Sequence, residues 1–261
     1  MAQTILITGG SSGIGEAVAL EYAKRGANIY LTGRDAERLT IVENACLVAG
    51  ATRVQTATCD VSDYEAMQAL ITRWDNENPI DIVIANAGIS GGGADRKHGE
   101  PVSEARKIFD VNLYGVLNTI EPLLPRFLER RRGHIAIVSS LASFSAWPGA
   151  PSYSASKAAV RIYGEALRGM LVKTRVRVSV ILPGFVVSRM TAVNNYQMPF
   201  LMQTRDAARI IVHGIDRNKS RIAFPLPTYL ISGLLGMLPD WLLRILTVHL
   251  PQKESCQKSE T

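Results

Sequence analysis

Seven short runs of mostly apolar, β-branched residues are spaced along this chain by stretches with helical periodicity. That alternation constrains the fold more than any other feature. Residues 4–8, 27–32, 52–58, 80–85, 134–138, 176–182 and 221–224 read as strands. Helical pattern fills 13–25, 36–49, 103–130, 153–173 and 204–217. A further helix opens at Ser62, with Glu65 three residues on as a capping box. Gly26 and Gly50 stand where the first two helices stop, and Pro122 and Pro125 are expected to bend the region 103–130. Strands separated by helices pair in parallel, because each return crosses the sheet, and a parallel sheet must be covered on both faces. The chain is therefore read as α/β, a doubly wound parallel sheet. Its 261 residues and 47% hydrophobic content suit one such domain.

The turn after the first strand reads T-G-G-S-S-G-I-G over residues 8–15. Gly9 lets the backbone leave the strand tightly, Gly13 lets it approach a pyrophosphate, and Gly15 lets the helix pack on the sheet. The free N–H groups and positive end of the helix then face an anion. The spacing is G-x-x-x-G-x-G, which departs from the G-x-G-x-x-G of the common dinucleotide turn. The second strand ends Thr32-Gly33-Arg34, with no acid where an NAD site would hold the ribose 2′-hydroxyl. A guanidinium suits a 2′-phosphate, which points to NADP. Asp35 is read as the N-cap of the next helix. The plainer reading of Arg34 is a solvated loop charge.

Residues 134–157 carry the chemistry. A buried strand breaks at Ser140 into a small-residue loop with Pro148 and Pro151, then opens a helix with Ser152 as its N-cap. Tyr153 and Lys157 lie four residues apart, one helical turn on the same face. A lysine ammonium beside a phenol favours the phenolate, so the tyrosine becomes a usable proton donor and acceptor. A serine hydroxyl aimed at the same point can hold a carbonyl oxygen. Alone, a Y-x-x-x-K among eight tyrosines is weak, and Tyr153 would be core, Lys157 solvated and Ser140 a turn residue. The rest of the chain selects the chemical reading.

Together these motifs resemble the short-chain dehydrogenases/reductases, over residues 4 to about 190. Gly9, Ser11, Ser12, Gly13, Ile14 and Gly15 lie in what looks like the family's cofactor turn. Asp60 and Val61 resemble its adenine-contacting pair, and Asn86, Ala87 and Gly88 match its N-A-G after the fourth strand. Asn112 falls at the fourth catalytic position, beside Ser140, Tyr153 and Lys157. Pro183, Gly184, Val186 and Ser188 resemble the P-G-x-x-x-T segment at the nicotinamide, with Ser in place of Thr. The resemblance implies a Rossmann-like sheet of about seven strands in the order 3-2-1-4-5-6-7. It implies hydride transfer between NADP(H) and a carbonyl or secondary alcohol, with Tyr153 as proton donor, Ser140 holding the oxygen and Lys157 lowering the tyrosine pKa. Asn112 would support a water that relays protons to Lys157. Position 12 is Ser where NADP-preferring branches carry a basic residue, so NAD(H) stays open. A homodimer or homotetramer paired through 104–130 and 153–173 is a family expectation.

The substrate side is less determined. Leu141, Ala142, Phe144, Trp147 and Phe185 are candidate lining, with 186–203 as a lid. Met190, Met198, Phe200 and Met202 suggest an apolar pocket or, equally, a methionine-rich core patch. The loop 90–99, with His98, is expected to be mobile and carries no assigned chemistry. With the domain set at 1–225, residues 226–251 form an apolar extension whose two runs are each too short to cross a bilayer, which needs roughly 20 residues. It covers the cleft, joins subunits, or makes a peripheral membrane contact. The tail 252–261 is polar and expected to be disordered.

Three cysteines, Cys46, Cys59 and Cys256, form no C-x-x-C pair, which argues against a disulfide framework or a metal site and fits a reducing, cytoplasmic setting. The net charge of +6 is dispersed, and the cluster at 130–132 suits a helix end, so nucleic acid is not expected as a partner. A non-catalytic NADP-binding sensor on the same fold is the competing reading. Dehydratase or epimerase chemistry on nucleotide sugars belongs to relatives with a larger C-terminal domain.

Overall fold

Seven parallel strands form one sheet in the order β3-β2-β1-β4-β5-β6-β7. They are β1 (Thr4–Thr8), β2 (Asn28–Gly33), β3 (Arg53–Thr58), β4 (Ile82–Ala85), β5 (Gly133–Val138), β6 (Val176–Pro183) and β7 (Arg221–Phe224). The computed structural model describes residues 2–91, 99–192, 194 and 196–247. The loop expectation at 92–98, with His98, and the tail 252–261 lie outside the described residues. Strand order matches the expectation, and strand bounds agree within two residues. The reversal between β1 and β4 opens a crevice at the sheet's C-terminal edge, where ligands of such sheets bind.

Helices fill both faces because each central strand is apolar on both. α1 (Gly13–Ala23), α2 (Ala36–Val48) and α9 (Thr204–Asp216) cover one side, around Ile5, Ile7, Val18, Leu31 and Ile211. α3 (Tyr64–Glu77), α5 (Gly115–Ile120), α6 (Leu124–Glu129) and α7 (Pro151–Met170) cover the other, around Leu6, Met67, Trp74, Ile135 and Val160. Ile5 and Ile7 face one layer and Leu6 the other, the two-residue period of a strand. Tyr30 and Trp74 stack at 4.8 Å in the second layer.

Three local expectations are corrected. Asp63, not Ser62, caps α3: its carboxylate accepts from Ala66 N at 3.0 Å, while the Ser62 hydroxyl is drawn to Asp60 at 2.7 Å. α7 starts at Pro151, whose missing N–H costs nothing in a first turn, so Ala150 is the N-cap. Ser152 sits inside that turn and gives its N–H to Glu100 at 3.1 Å. The region 103–130 is not one bent helix. α4 (Val102–Phe109) runs into a π-turn (Asp110–Tyr114), then α5, and the chain breaks around Pro122 before α6.

β7 leads into α10 (Leu226–Leu235) and α11 (Asp240–Thr247), with α8 (Arg189–Ala192) between β6 and α9. Among the described residues no helix is long and apolar enough to cross a membrane.

Candidate active site

The turn after β1 is the most constrained part of the crevice. Gly13 has φ +62°, in the left-handed region that other residues avoid. A Cβ on Gly15 would collide with the Gly9 carbonyl and stand 2.6 Å from Asn86 Nδ2. That amide is the staple between β1 and β4: it donates to Thr8 O at 2.9 Å and Gly9 O at 3.1 Å. Thr8 closes the other half, its hydroxyl accepting from Asn86 N at 3.1 Å and Ala87 N at 3.2 Å. Thr8 was not singled out in the sequence, because its partners are nearly eighty residues away. Ser12 precedes α1 without a side-chain cap bond, so no side chain caps the first-turn amides. This open cradle fits a pyrophosphate.

The far end of the crevice lies between β2 and β3. Arg34 is exposed just past β2. Asp35 is committed elsewhere: its carboxylate accepts from Arg38 N at 3.0 Å and pairs with Arg38 at 2.7 Å. Asp60 accepts the Ser62 N–H and hydroxyl. Burial pulls its pKa up, but those bonds and the charges of Arg34 and Lys107 together hold it below the usual carboxylate value. Val61 is buried, with its carbonyl accepting from Asn118 Nδ2 at 2.9 Å. Its side chain packs where a Cβ on Gly115 would stand.

Between these ends, the four residues expected to do chemistry converge. Tyr153 and Lys157 lie on the first turns of α7, with the Lys157 ammonium 6.0 Å from the Tyr153 ring centroid. Lys157 is buried and donates to the Val138 carbonyl at 3.0 Å. Its own carbonyl accepts the Ser139 hydroxyl at 2.6 Å, which ties α7 to the end of β5. Ser140 caps a short 3₁₀ turn by accepting from Ala142 N at 3.1 Å, and it acts on the Tyr153 phenol to favour its ionised form. Asn112 sits in the π-turn, a local widening found often at functional sites. Its Oδ1 accepts from Ile89 N at 2.8 Å, and its Nδ2 donates to Ile89 O at 2.9 Å and Ser156 Oγ at 3.1 Å.

Burial dominates the electrostatics of the pair. Burial pushes the Tyr153 phenol above its ordinary value, and Ser140 offsets this only in part. Burial also lowers Lys157 to about 8. Tyr153 is thus held as a neutral phenol, ready to give a proton.

The last segment closes over the turn after β1. Pro183 O lies 3.5 Å from the Ser140 hydroxyl, and Gly184 N donates to Phe224 O at 2.7 Å. Ser188 stands beside Gly13, 3.5 Å from where its Cβ would be. Val186 and Met202 form a parallel bridge, and both pack on the core rather than into the crevice. Phe144 meets Tyr229 edge-on at 5.6 Å. Tyr196, within the expected lid but not singled out, faces Tyr153 electrostatically and packs on Phe185 at 6.2 Å.

Comparison with known proteins agrees with this geometry. The family model described as short chain dehydrogenase matches residues 3–199. An uncharacterized oxidoreductase of Myxococcus xanthus is 39% identical over 91% of this chain and 93% of its own length. A short-chain dehydrogenase from Sphingobium yanoikuyae, solved in complex with NADPH, shares the fold with a TM-score of 0.78 and 24% identity over 91% of this chain and 97% of that one. A 3-oxoacyl-[acyl-carrier protein] reductase from Brucella melitensis with bound NAD has a TM-score of 0.73 and 29% identity over 85% and 87%. The chain belongs to the short-chain dehydrogenase family of oxidoreductases.

Proposed function

We propose that this protein interconverts a carbonyl and a secondary alcohol with NADP(H), on an apolar substrate. The observation that carries the reading is the buried Lys157 ammonium 6.0 Å from the Tyr153 ring, one turn along the same helix, with Ser140 acting on the same phenol. The nicotinamide nucleotide, when bound, supplies or accepts the hydride. Ser140 presents its hydroxyl to the substrate oxygen and holds it. Tyr153 donates its proton to that oxygen. Lys157, cationic below about pH 8, stabilises the phenolate left behind. Asn112 positions the chain at Ile89 beside Lys157, with its Oδ1 turned to the point where a relay water would stand.

Gly9, Ser11, Ser12, Gly13, Ile14 and Gly15 would hold the pyrophosphate, with Asp60 and Val61 at the adenine. Asn86, Ala87 and Gly88 would line the middle. Pro183, Gly184, Ser188 and the backbone of Val186 would meet the nicotinamide. Arg34 would pair with a 2′-phosphate, supported by the commitment of Asp35 to its helix. The Brucella reductase holds NAD and the Sphingobium dehydrogenase NADPH, and Arg34 is what favours NADP(H) here. Residues 1–225 would form one catalytic domain, with 186–203 over the cleft. The Phe185–Tyr196 pair would then offer an apolar wall near Tyr153.

Incubating the purified protein with NADPH and fractionated cell extract, followed by untargeted mass comparison, tests the reading. A species that gains two hydrogens only with both protein and NADPH is expected. No such species in either the lipid or aqueous fraction, with NADPH shown to bind, would favour a sensor instead.

A further inference from the structure

The C-terminal helices leave an apolar face uncovered. On α10, Leu226, Leu230, Ile231 and Leu234 fall on one side of the helix, and each is more than half exposed. The stripe continues through Met237, 83% exposed, to Trp241, Ile245 and Leu246 on α11. The other side of α10 is what holds it to the body. Tyr229 meets Phe144, and Gly236 packs on the Phe144 carbonyl. The outer face is thus fixed in place and left in water, where a contiguous apolar patch marks an interaction site.

The chemistry around the face says what covers it. No charged residue lies between 225 and 239. The polar side chains there supply little of a rim: Thr228 Oγ1 is buried, Tyr229 turns inward, and Ser232 is a single half-buried hydroxyl. A specific protein partner is held in register by such a polar rim, whereas a bilayer needs only apolar surface and positive charge. The positive charge lies beneath α10, in an open groove of about 560 Å³ rimmed by Leu230, Leu234 and Met237. On its floor the guanidiniums of Arg161 and Arg221 stand 4.6 and 5.9 Å from the Phe144 ring. Both pair with one carboxylate, Glu165, so the cluster keeps a net positive charge in a chain of net charge +6. α10 has 10 residues and α11 has 8, so neither spans a bilayer, and both can lie along its surface.

We propose that the α10–α11 face docks on an anionic lipid surface, with its aliphatic side chains in the interface and Arg161 and Arg221 toward headgroup phosphates. α10 is preceded by Pro225, whose ring lies against Gly184 just past β6. Docking therefore brings lipid to the rim of the cleft. The docking does not depend on the proposed reaction, and its test uses no turnover.

Co-sedimentation of the full chain with phosphatidylcholine vesicles, with and without phosphatidylglycerol, reads the docking directly. The protein should partition at least about tenfold more strongly onto the anionic vesicles and come off in high salt. The exposed double substitution Leu230→Glu with Leu234→Glu should lower that partition at least about tenfold, with melting temperature and light-scattering mass unchanged. A wild-type chain that stays in the supernatant with anionic vesicles overturns the proposal. So does a double variant whose particle mass falls, because the face would then lie between two copies of the chain.

Discussion

A side chain on Gly88 would place its Cβ 3.1 Å from the Lys157 ammonium and 3.2 Å from Asn112 Oδ1. The two polar groups therefore converge on one point, and glycine keeps that point open. Gly88→Ala would push the end of Lys157 aside by a few tenths of an ångström without straining the backbone. Turnover is expected to fall about tenfold or more, as sub-ångström misplacement does in such sites. The melting temperature should hardly move, because the displaced group is the end of a flexible side chain. Steady-state kinetics beside a thermal melt checks both halves, and unchanged turnover would deny that this point matters.

Arg34 separates the two nicotinamide nucleotides. Arg34→Ala should weaken NADPH binding by about 1.5–3 kcal/mol, the worth of a charge-assisted contact, and leave NADH nearly unaffected. Fluorescence titration with each nucleotide measures it. Equal losses for both would remove the 2′-phosphate from this residue.

His134 reports on the sheet. It is buried at the start of β5, with Nε2 donating to Ser179 Oγ at 2.9 Å, since Ser179 spends its own proton on Lys219 O. Burial first, then the charges of Arg177 and Arg168, lower its pKa from 6.5 to about 4, against a smaller opposing effect of Asp216. Between those values the unfolded chain binds the proton and the folded one does not. Stability is therefore full above about pH 6.5 and falls as pH drops toward 4, by on the order of 3 kcal/mol. In His134→Gln this part of the acid limb should vanish. Denaturant titrations of both proteins from pH 7 to 4 test it, and parallel curves would contradict the assignment.

How much of this could be read in the sequence follows the range of each interaction. Strand and helix periods are local, so the order of elements was legible, and the covered two-sided strands implied the parallel sheet. Tyr153 and Lys157 were legible because one helical turn joins them. Ser140 joins them through a loop that only resemblance could measure. Thr8, Ser139 and Ser156 were not legible, because each acts on a partner brought near by the sheet or the π-turn. Neighbouring cap candidates misled at Ser62 and Ser152, where a carboxylate competed for the hydroxyl. Met202 could be read as pocket or as core, and it packs on the core with Val186, because an apolar side chain near a cleft does not say which side it turns to.

The central claim is that the Tyr153 hydroxyl carries the proton. Replacing it with Phe removes that oxygen and leaves the turn after β1 intact. Rapid-mixing measurement of NADPH oxidation, with whichever carbonyl the mass comparison yields, should show turnover reduced at least about a thousandfold. NADPH affinity should stay within about threefold of wild type, because the nucleotide's main contacts lie elsewhere. A Tyr153→Phe protein that keeps a tenth or more of wild-type turnover would contradict the mechanism.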